Sequence, residues 1–307
     1  MGVWGRVLDA AGISDPTLRD DYARQRKLVA RYRRSSYLAA RLLLPRPLLP
    51  HLITAIAFMH HTDNLLDSGP EAERPEAYAR WEKEVREGLA VGESGHPAIR
   101  PLLYTVSAHP GFRARVEDFL DAAATELEFT GFATEADYQR YVDQYALPAF
   151  MLIAGLIAGE DPPSGYREAC RTYIDGSQRL DFANDLSEDL AEGRLNLVRG
   201  TLDAHGVTRA DLESARDTPG TRSLLERLLG QARQSLAASR GLADLAPPEG
   251  RPLFRAVIEI EDLTAVAAIA KGPALLHAPA RPPAPAIARV LLRERRHVRR
   301  LRGPAGL

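Results

Sequence analysis

Between Leu48 and Asp67 the apolar residues Leu49, Leu52, Ile53 and Ile56 recur at spacings of three and four, so all lie on one stripe of a helix turning about 100° per residue. Reading such stretches between breakers predicts helices over Pro16 to Arg34, Ser36 to Leu44, Leu48 to Asp67, Pro75 to Leu89, Pro97 to Ala108 and Phe112 to Phe129. The second half continues with Thr134 to Leu147, Pro148 to Gly159, Gly165 to Glu192, Thr208 to Ala215, Thr221 to Leu245, Arg251 to Ala270 and Ala286 to Arg302. Several start at proline, whose missing N–H has no intrahelical partner in a first turn anyway. The Pro- and Ala-rich stretch Leu275 to Pro285 is expected to be irregular.

Composition supports the same all-α reading, because Ala, Leu, Arg and Glu dominate while Val, Ile and Thr are sparse. At 307 residues the chain allows two domains or one large helical unit. No solenoid repeat and no linker-like shift in composition occurs, which favours a single helical domain over residues 1–307. Lys and Arg number 40 against 41 Asp and Glu, a net charge of −1, which argues against a general nucleic-acid binder. The lone Cys170 allows no intrachain disulfide, and Met1 to Asp9 has no long apolar run, so a cytoplasmic setting is expected. The longest apolar run, Ala149 to Gly159, falls short of the about 20 residues of a spanning helix.

The segment 286–302 differs from the rest. It carries Arg289, Arg293, Arg295, Arg296, Arg299, Arg300 and Arg302 among Ile287, Val290, Leu291, Leu292, Val298 and Leu301. Two readings stand: a solvated terminal helix packed by its leucines, or a peripheral contact with an anionic membrane in which an apolar substrate dissolves.

Candidate chemistry lies in two acidic blocks. Asp63 and Asp67 continue the apolar stripe of Leu49, Leu52, Ile53, Ile56 and His60, and an inward-facing anion needs a metal, a basic partner or a wet cavity. Alternatively the last turn simply reaches solvent before Ser68-Gly69-Pro70. In the second block Gln178, Asp181, Asp185, Glu188 and Asp189 share one helical face with no interleaved lysine. A solvated acidic face explains one such cluster; two D-x-x-x-D pairs in one helical chain point further. Oxygen-only ligands on facing helices suit Mg²⁺, which keeps waters and takes one or two carboxylates plus substrate phosphates. The chemistry so implied is ionisation of a phosphate ester.

From about Ser36 to Leu197 the chain resembles the squalene/phytoene synthase family of isoprenoid synthases. Ser36-Tyr37, Leu44-Pro45, Ala57-Phe58 and Asp63-x-x-x-Asp67 are similar to its opening block, and Tyr141, Ala146 and Pro148 to its central helix. Gln178, Asp185, Glu188, Asp189, Gly193 and Arg194 resemble its second aspartate block. The resemblance implies a single large all-α domain of the isoprenoid synthase type with a central cavity between two Asp-rich helices, and Mg²⁺ and prenyl diphosphate held by Asp63, Asp67, Asp185 and Asp189, with Tyr37, Tyr141, Phe150, Gln178, Asp181, Asn184 and Arg194 as substrate-side candidates. His60 would either contact diphosphate and take the proton lost by an alkylated acceptor, or orient a neighbouring carboxylate. Tyr37, Tyr141, Met59, Met151 and Phe150 suit either a prenyl tunnel or ordinary core packing.

Departures from the family pattern shape the functional expectation. His60 and Asn184 stand where it has arginines, Asp181 where it has asparagine, Phe150 where it has glycine, Leu49 where it has a basic residue, and Asn64 where it has a second aspartate. No tyrosine follows Tyr173. Two diphosphates, each with about two to three negative charges, need separate cationic partners in a low-dielectric pocket. The apparent cation deficit therefore predicts transfer of one prenyl group to an uncharged small-molecule acceptor, an aromatic ring being one candidate. Head-to-head condensation of two prenyl diphosphates is the close alternative. A class I terpene cyclase is a third reading, since Asn184, Glu188 and Glu192 lie at i, i+4 and i+8, and a non-catalytic scaffold is a fourth. No G-x-G-x-x-G stretch supports a dinucleotide reductant.

Overall fold

The computed structural model describes residues 2–32 and 34–302; residues 1, 33 and 303–307 of the expected span, and the side chains of Arg34 and Arg302, lie outside the described residues. No strand occurs among the described residues. The first half comprises α1 (Val3–Ala10), α2 (Pro16–Tyr32), α3 (Arg34–Leu43), α4 (Leu48–Asp67), α5 (Arg74–Val91), α6 (Ile99–Ala108), α7 (Phe112–Ala124) and α8 (Glu135–Tyr141). It is followed by α9 (Leu147–Ala158), α10 (Tyr166–Asn184), α11 (Leu186–Ala191), α12 (Arg199–Ala204), α13 (Arg209–Glu213), α14 (Pro219–Ala238), α15 (Leu242–Leu245), α16 (Arg251–Lys271) and α17 (Ala284–Arg302).

Helix α9 is the centre, apolar on every side and packed against α4, α7 and α10. Leu152 is wholly buried there, and burial of such a side chain contributes about 1.5–3 kcal/mol. Helices α2 and α3 cover α4, while α14 and α16 close the other side of α10. The α10–α14 approach is close enough that a Cβ on Gly176 would stand 2.8 Å from the Leu236 backbone nitrogen. A side chain at that position would push the two helices apart.

Three sequence-based boundaries are corrected. The expected helices Thr134 to Leu147 and Pro148 to Gly159 form one run, because Val142–Ala146 widens into a π-turn just before Pro148. A proline removes one i→i−4 bond and crowds the preceding turn, and the wider turn relieves both. This run, Glu135–Ala158, is the one described helix long and apolar enough to cross a bilayer, and here it is the core helix. Conversely, the expected helix Gly165 to Glu192 breaks at Asp185, which caps α10 and starts α11 with φ −92° and ψ 9°. The expected helix Thr221 to Leu245 also breaks, at a tight turn through Ser239–Gly241. Helices α1 and α12 arise where none is expected, and the stretch 277–283 is irregular, as anticipated.

Helix α17 docks on α3 and α16 through Val290 and Val298 and through Glu294, which is buried and ion-paired to Arg255, Arg293 and His297. Its leucines do not all pack: Leu292 and Leu301 are more than half exposed.

Candidate active site

An apolar cavity of about 320 Å³ lies between α4, α9, α10 and α16, with the α2–α3 junction closing one side. It joins a polar cleft of about 610 Å³, and Asp63, Tyr141, Tyr145, Gln178 and Asp181 line both. All four D-x-x-x-D aspartates face the cleft, Asp63 and Asp67 from α4, Asp185 and Asp189 from the α10–α11 bend and α11. The bend at Asp185 lets the second block turn along the cleft where a straight helix would carry Asp189 onward along the α10 axis. After α11, Gly193 adopts φ +79°, a conformation suited to glycine, and returns Arg194 to the same cleft.

The acidic mouth is electrostatically strained. Burial raises the Asp67 carboxyl above its ordinary range, opposed by Arg194 and Arg74. Glu126, from the tight turn Thr125–Glu128 after α7, is pushed up to about 7 by burial and by Asp67 and Asp63. Tyr145 donates to Asp63 Oδ1 at 2.8 Å, Asn196 donates to Asp189 Oδ2 at 3.1 Å, and Arg194 pairs with Asp189 at 3.3 Å. Among the described residues no three acidic or histidine side chains converge closely enough to hold a metal ion by themselves. The donor set instead fits a hard cation that takes one or two carboxylates from each wall and completes its shell with water and phosphate oxygens.

Other expected residues divide. Phe150 lines the cavity with its ring tilted 44° against that of Tyr173, centroids 5.0 Å apart, and Tyr141 lines both compartments while its hydroxyl donates to Gln178 Oε1 at 3.2 Å. His60 lines the cavity with its ring stacked on Tyr32 at 3.8 Å, and its Nε2 lies 3.4 Å from Asn64 Nδ2. Of the two expected methionines, Met59 reaches the cavity lining while Met151 packs in the core. Tyr37 is core, outside the lining of either compartment, because α3 turns it inward with Ala39, Ala40 and Leu43. Asn184 also faces away: its amide brackets Ala280, accepting from the backbone N–H at 2.8 Å and donating to the carbonyl at 3.3 Å. It therefore ties α10 to the irregular stretch before α17.

Several cleft and cavity residues carry no local sequence signal. Arg74 and Arg209 face the cleft beside Arg194, which overturns the inferred cation deficit: these cations come from segments outside the aspartate blocks. Arg209 also bonds the Gly193 carbonyl at 2.9 Å, linking α13 to the end of α11. Tyr145 was detectable as the i+4 neighbour of Tyr141. Glu126 and Glu261 were not.

A family profile described as squalene/phytoene synthase matches residues 29–298. The bifunctional protein CrtB/UppS of Streptomyces coelicolor is 30% identical over 207 residues, covering 66% of this chain and 35% of that protein. A phytoene synthase of Thermus thermophilus is 37% identical over 112 residues, covering 36% of this chain and 37% of its own length, so each match spans about a third of the relative. The squalene synthase HpnC from Alicyclobacillus acidocaldarius superposes with TM-score 0.71 at 24% identity, covering 88% of this chain and 99% of that one. A dehydrosqualene synthase in complex with ligand superposes with TM-score 0.78 at 17% identity, covering 92% and 97%. With its all-α isoprenoid synthase fold, the chain belongs to the squalene/phytoene synthase family.

Proposed function

We propose that this chain is a divalent-cation-dependent transferase that joins two prenyl diphosphates head to head and releases diphosphate. The observation that carries the reading is the joined pair of compartments: a cleft with five aspartates and three arginines opening through Asp63, Tyr141, Tyr145, Gln178 and Asp181 into an apolar cavity. Family membership supports condensation over the transfer to an uncharged acceptor that the sequence favoured, and the charge argument for that transfer falls with Arg74 and Arg209.

In this reading Asp63, Asp67, Asp185 and Asp189 hold Mg²⁺, which when bound neutralises the departing diphosphate. Arg74, Arg194 and Arg209 engage its oxygens by charge-assisted hydrogen bonds. Tyr145 fixes the Asp63 carboxylate, so that this ligand does not have to be ordered when substrate enters. The rings of Tyr141, Tyr145, Phe150 and Tyr173 wall the route from cleft to cavity and face the allylic cation, each such contact being worth about 0.5–2 kcal/mol. Closure of the cavity by apolar side chains keeps water from quenching the cation.

One narrower observation supports a second reading. Phe150 projects into a cavity at the small end of the roughly 300–1,000 Å³ range for ligand sites, which favours one prenyl chain and hence an uncharged acceptor. The cyclase triad has no such support, since Asn184 is committed to Ala280. The test is incubation with Mg²⁺ and farnesyl or geranylgeranyl diphosphate, with and without aromatic acceptors, followed by mass analysis. C30 or C40 products are expected; acceptor adducts without them would establish the second reading, and alcohol alone would sink both.

The outward face of α17 supports contact with an anionic lipid surface, where such products partition. Arg289, Arg295, Arg296, Arg299 and Arg300 are exposed on it beside Leu292. Sedimentation with phosphatidylglycerol vesicles, weakened by salt and by charge reversal of these arginines, is the expected result; equal binding to neutral vesicles would refute the contact.

A further inference from the structure

A second pocket, of about 530 Å³, lies between the start of α16 and the end of α17 and shares no lining residue with the cavity or the cleft. Arg251 and Arg255 line it from α16, and Arg293, Glu294, His297 and Arg300 from α17. Arg251 and Arg255 are one turn apart, and Arg293, His297 and Arg300 lie at i, i+4 and i+7, so like charges are stacked along both helices at the spacing where they repel. Four arginines face one glutamate, an excess of three positive charges, or of two once Glu259, which pairs with Arg293 from outside the lining, is counted.

Glu294 does not neutralise this group, but it does set its geometry. Only 1% exposed, it accepts from Arg293 Nε at 2.9 Å through Oε1 and from Arg255 Nε at 3.0 Å through Oε2, with His297 Nδ1 3.1 Å from the same oxygen. Arg251 is held separately, its Nε donating to the Ala246 carbonyl at 2.9 Å. Arg251 and Arg255 are thus each fixed through Nε, and among the described residues Arg251 and Arg300 have no acidic partner. An ion-paired cluster serving only to dock α17 would match its cations with acids. Here the unmatched guanidinium groups converge on a space within the roughly 300–1,000 Å³ range of ligand sites.

We propose that this pocket binds a dianionic phosphate group, the end of a phosphomonoester or a diphosphate, held jointly by α16 and α17. The planar forks of arginines match phosphate oxygens bidentately, and two of them are already oriented, so little ordering is lost when the ligand enters. About two negative charges on a phosphomonoester balance the excess, whereas a single carboxylate leaves part of it uncompensated. Two sources carry this group: a soluble phosphate or diphosphate, and a lipid headgroup reached from the outward face of α17, where Arg300 stands beside the exposed Leu301. The proposal is independent of the head-to-head reading.

The first arm of the experiment is calorimetric titration of the full-length chain with inorganic diphosphate at about 150 mM salt, where exposed charges are largely screened, and in EDTA, so that no metal recruits diphosphate to the cleft. Arg251→Gln combined with Arg300→Gln leaves Glu294 its three partners and should weaken binding at least tenfold, as loss of one charge-assisted contact requires, whereas Arg194→Gln in the cleft should not. The second arm is sedimentation with vesicles containing phosphatidic acid or phosphatidylglycerol at matched surface charge. A preference for phosphatidic acid that the double variant abolishes assigns the pocket to a lipid headgroup. Equal binding to the two lipids, together with diphosphate binding that the double variant weakens, assigns it to a soluble ligand. Should the double variant fail to fold, Arg251→Lys, which keeps the charge and loses the fork, should show a several-fold loss in whichever arm binds. The proposal is overturned if diphosphate fails to bind or binds equally to the double variant, and vesicle binding also shows no preference that the variant removes.

Discussion

Replacing Asn184 separates a structural clamp from a substrate contact. Its side chain accepts from the Ala280 N–H at 2.8 Å and donates to the Ala280 carbonyl at 3.3 Å and to Asp185 Oδ1 at 2.9 Å. Asn184 and Ala280 are only 8% and 6% exposed, so water does not readily substitute. Asn184→Ala strands a buried N–H, for about 1–3 kcal/mol, and a less well bonded carbonyl, giving about 2–4 kcal/mol in total. At about 2.1 cal/mol/K of unfolding entropy per residue, each kcal/mol shifts the melting temperature of 307 residues by about 1.5 °C, so calorimetry should show a fall of roughly 3–6 °C. Asn184→Arg, the change that restores the family pattern, should destabilise more, since a guanidinium must then fit where Ala280 packs and cannot accept its N–H. A melting temperature unchanged by Asn184→Ala, together with a raised KM for prenyl diphosphate, would refute the clamp and return Asn184 to the substrate.

Three further outcomes follow from the cleft. Tyr145→Phe removes the hydrogen bond to Asp63 and should weaken Mg²⁺ activation by about 10–100-fold, the usual effect of losing a group that orients a metal ligand; an unchanged Mg²⁺ titration would dismiss the role. Glu126, with a carboxyl raised to about 7, is protonated more readily in the folded chain than in the unfolded one, so metal-free stability should fall as pH rises from about 4.5 to about 7. Urea midpoints measured in EDTA should lose that slope in Glu126→Gln, and an identical slope would show that another group titrates. Arg209→Ala should raise KM for prenyl diphosphate by roughly 10- to 150-fold, as loss of a charge-assisted contact worth about 1.5–3 kcal/mol requires, and a KM equal to that of the unaltered enzyme would confine Arg209 to holding Gly193.

How much of this was legible in the sequence depends on how local each feature is. The D-x-x-x-D spacing alone puts two carboxylates on one helical face, and the stripe from Leu49 to His60 aims the first pair inward, so both pairs could be found without a structure. Phe150 and Gln178 were found by family resemblance and do line the cavity. The bend at Asp185 was not legible, because the Asp185 N–H still bonds Asp181 as in a helix and only the backbone angles change. Asn184 was misplaced for a related reason: its partner is 96 residues away, and nothing in the acidic block reveals that the amide is already used. Tyr37 keeps its position in the opening block but not its expected surroundings, since helix α3 rolls it into the core.

The cations of the cleft do not all come from the aspartate blocks, where His60 and Asn184 stand in place of arginine. Arg74 begins α5 and Arg209 begins α13, both near chain reversals whose direction depends on how distant helices pack. A helix terminus can deliver a long side chain into a cleft with little constraint on the sequence around it. Charge compensation in such a site can therefore migrate between elements, whereas the paired carboxylates cannot move without losing their shared face.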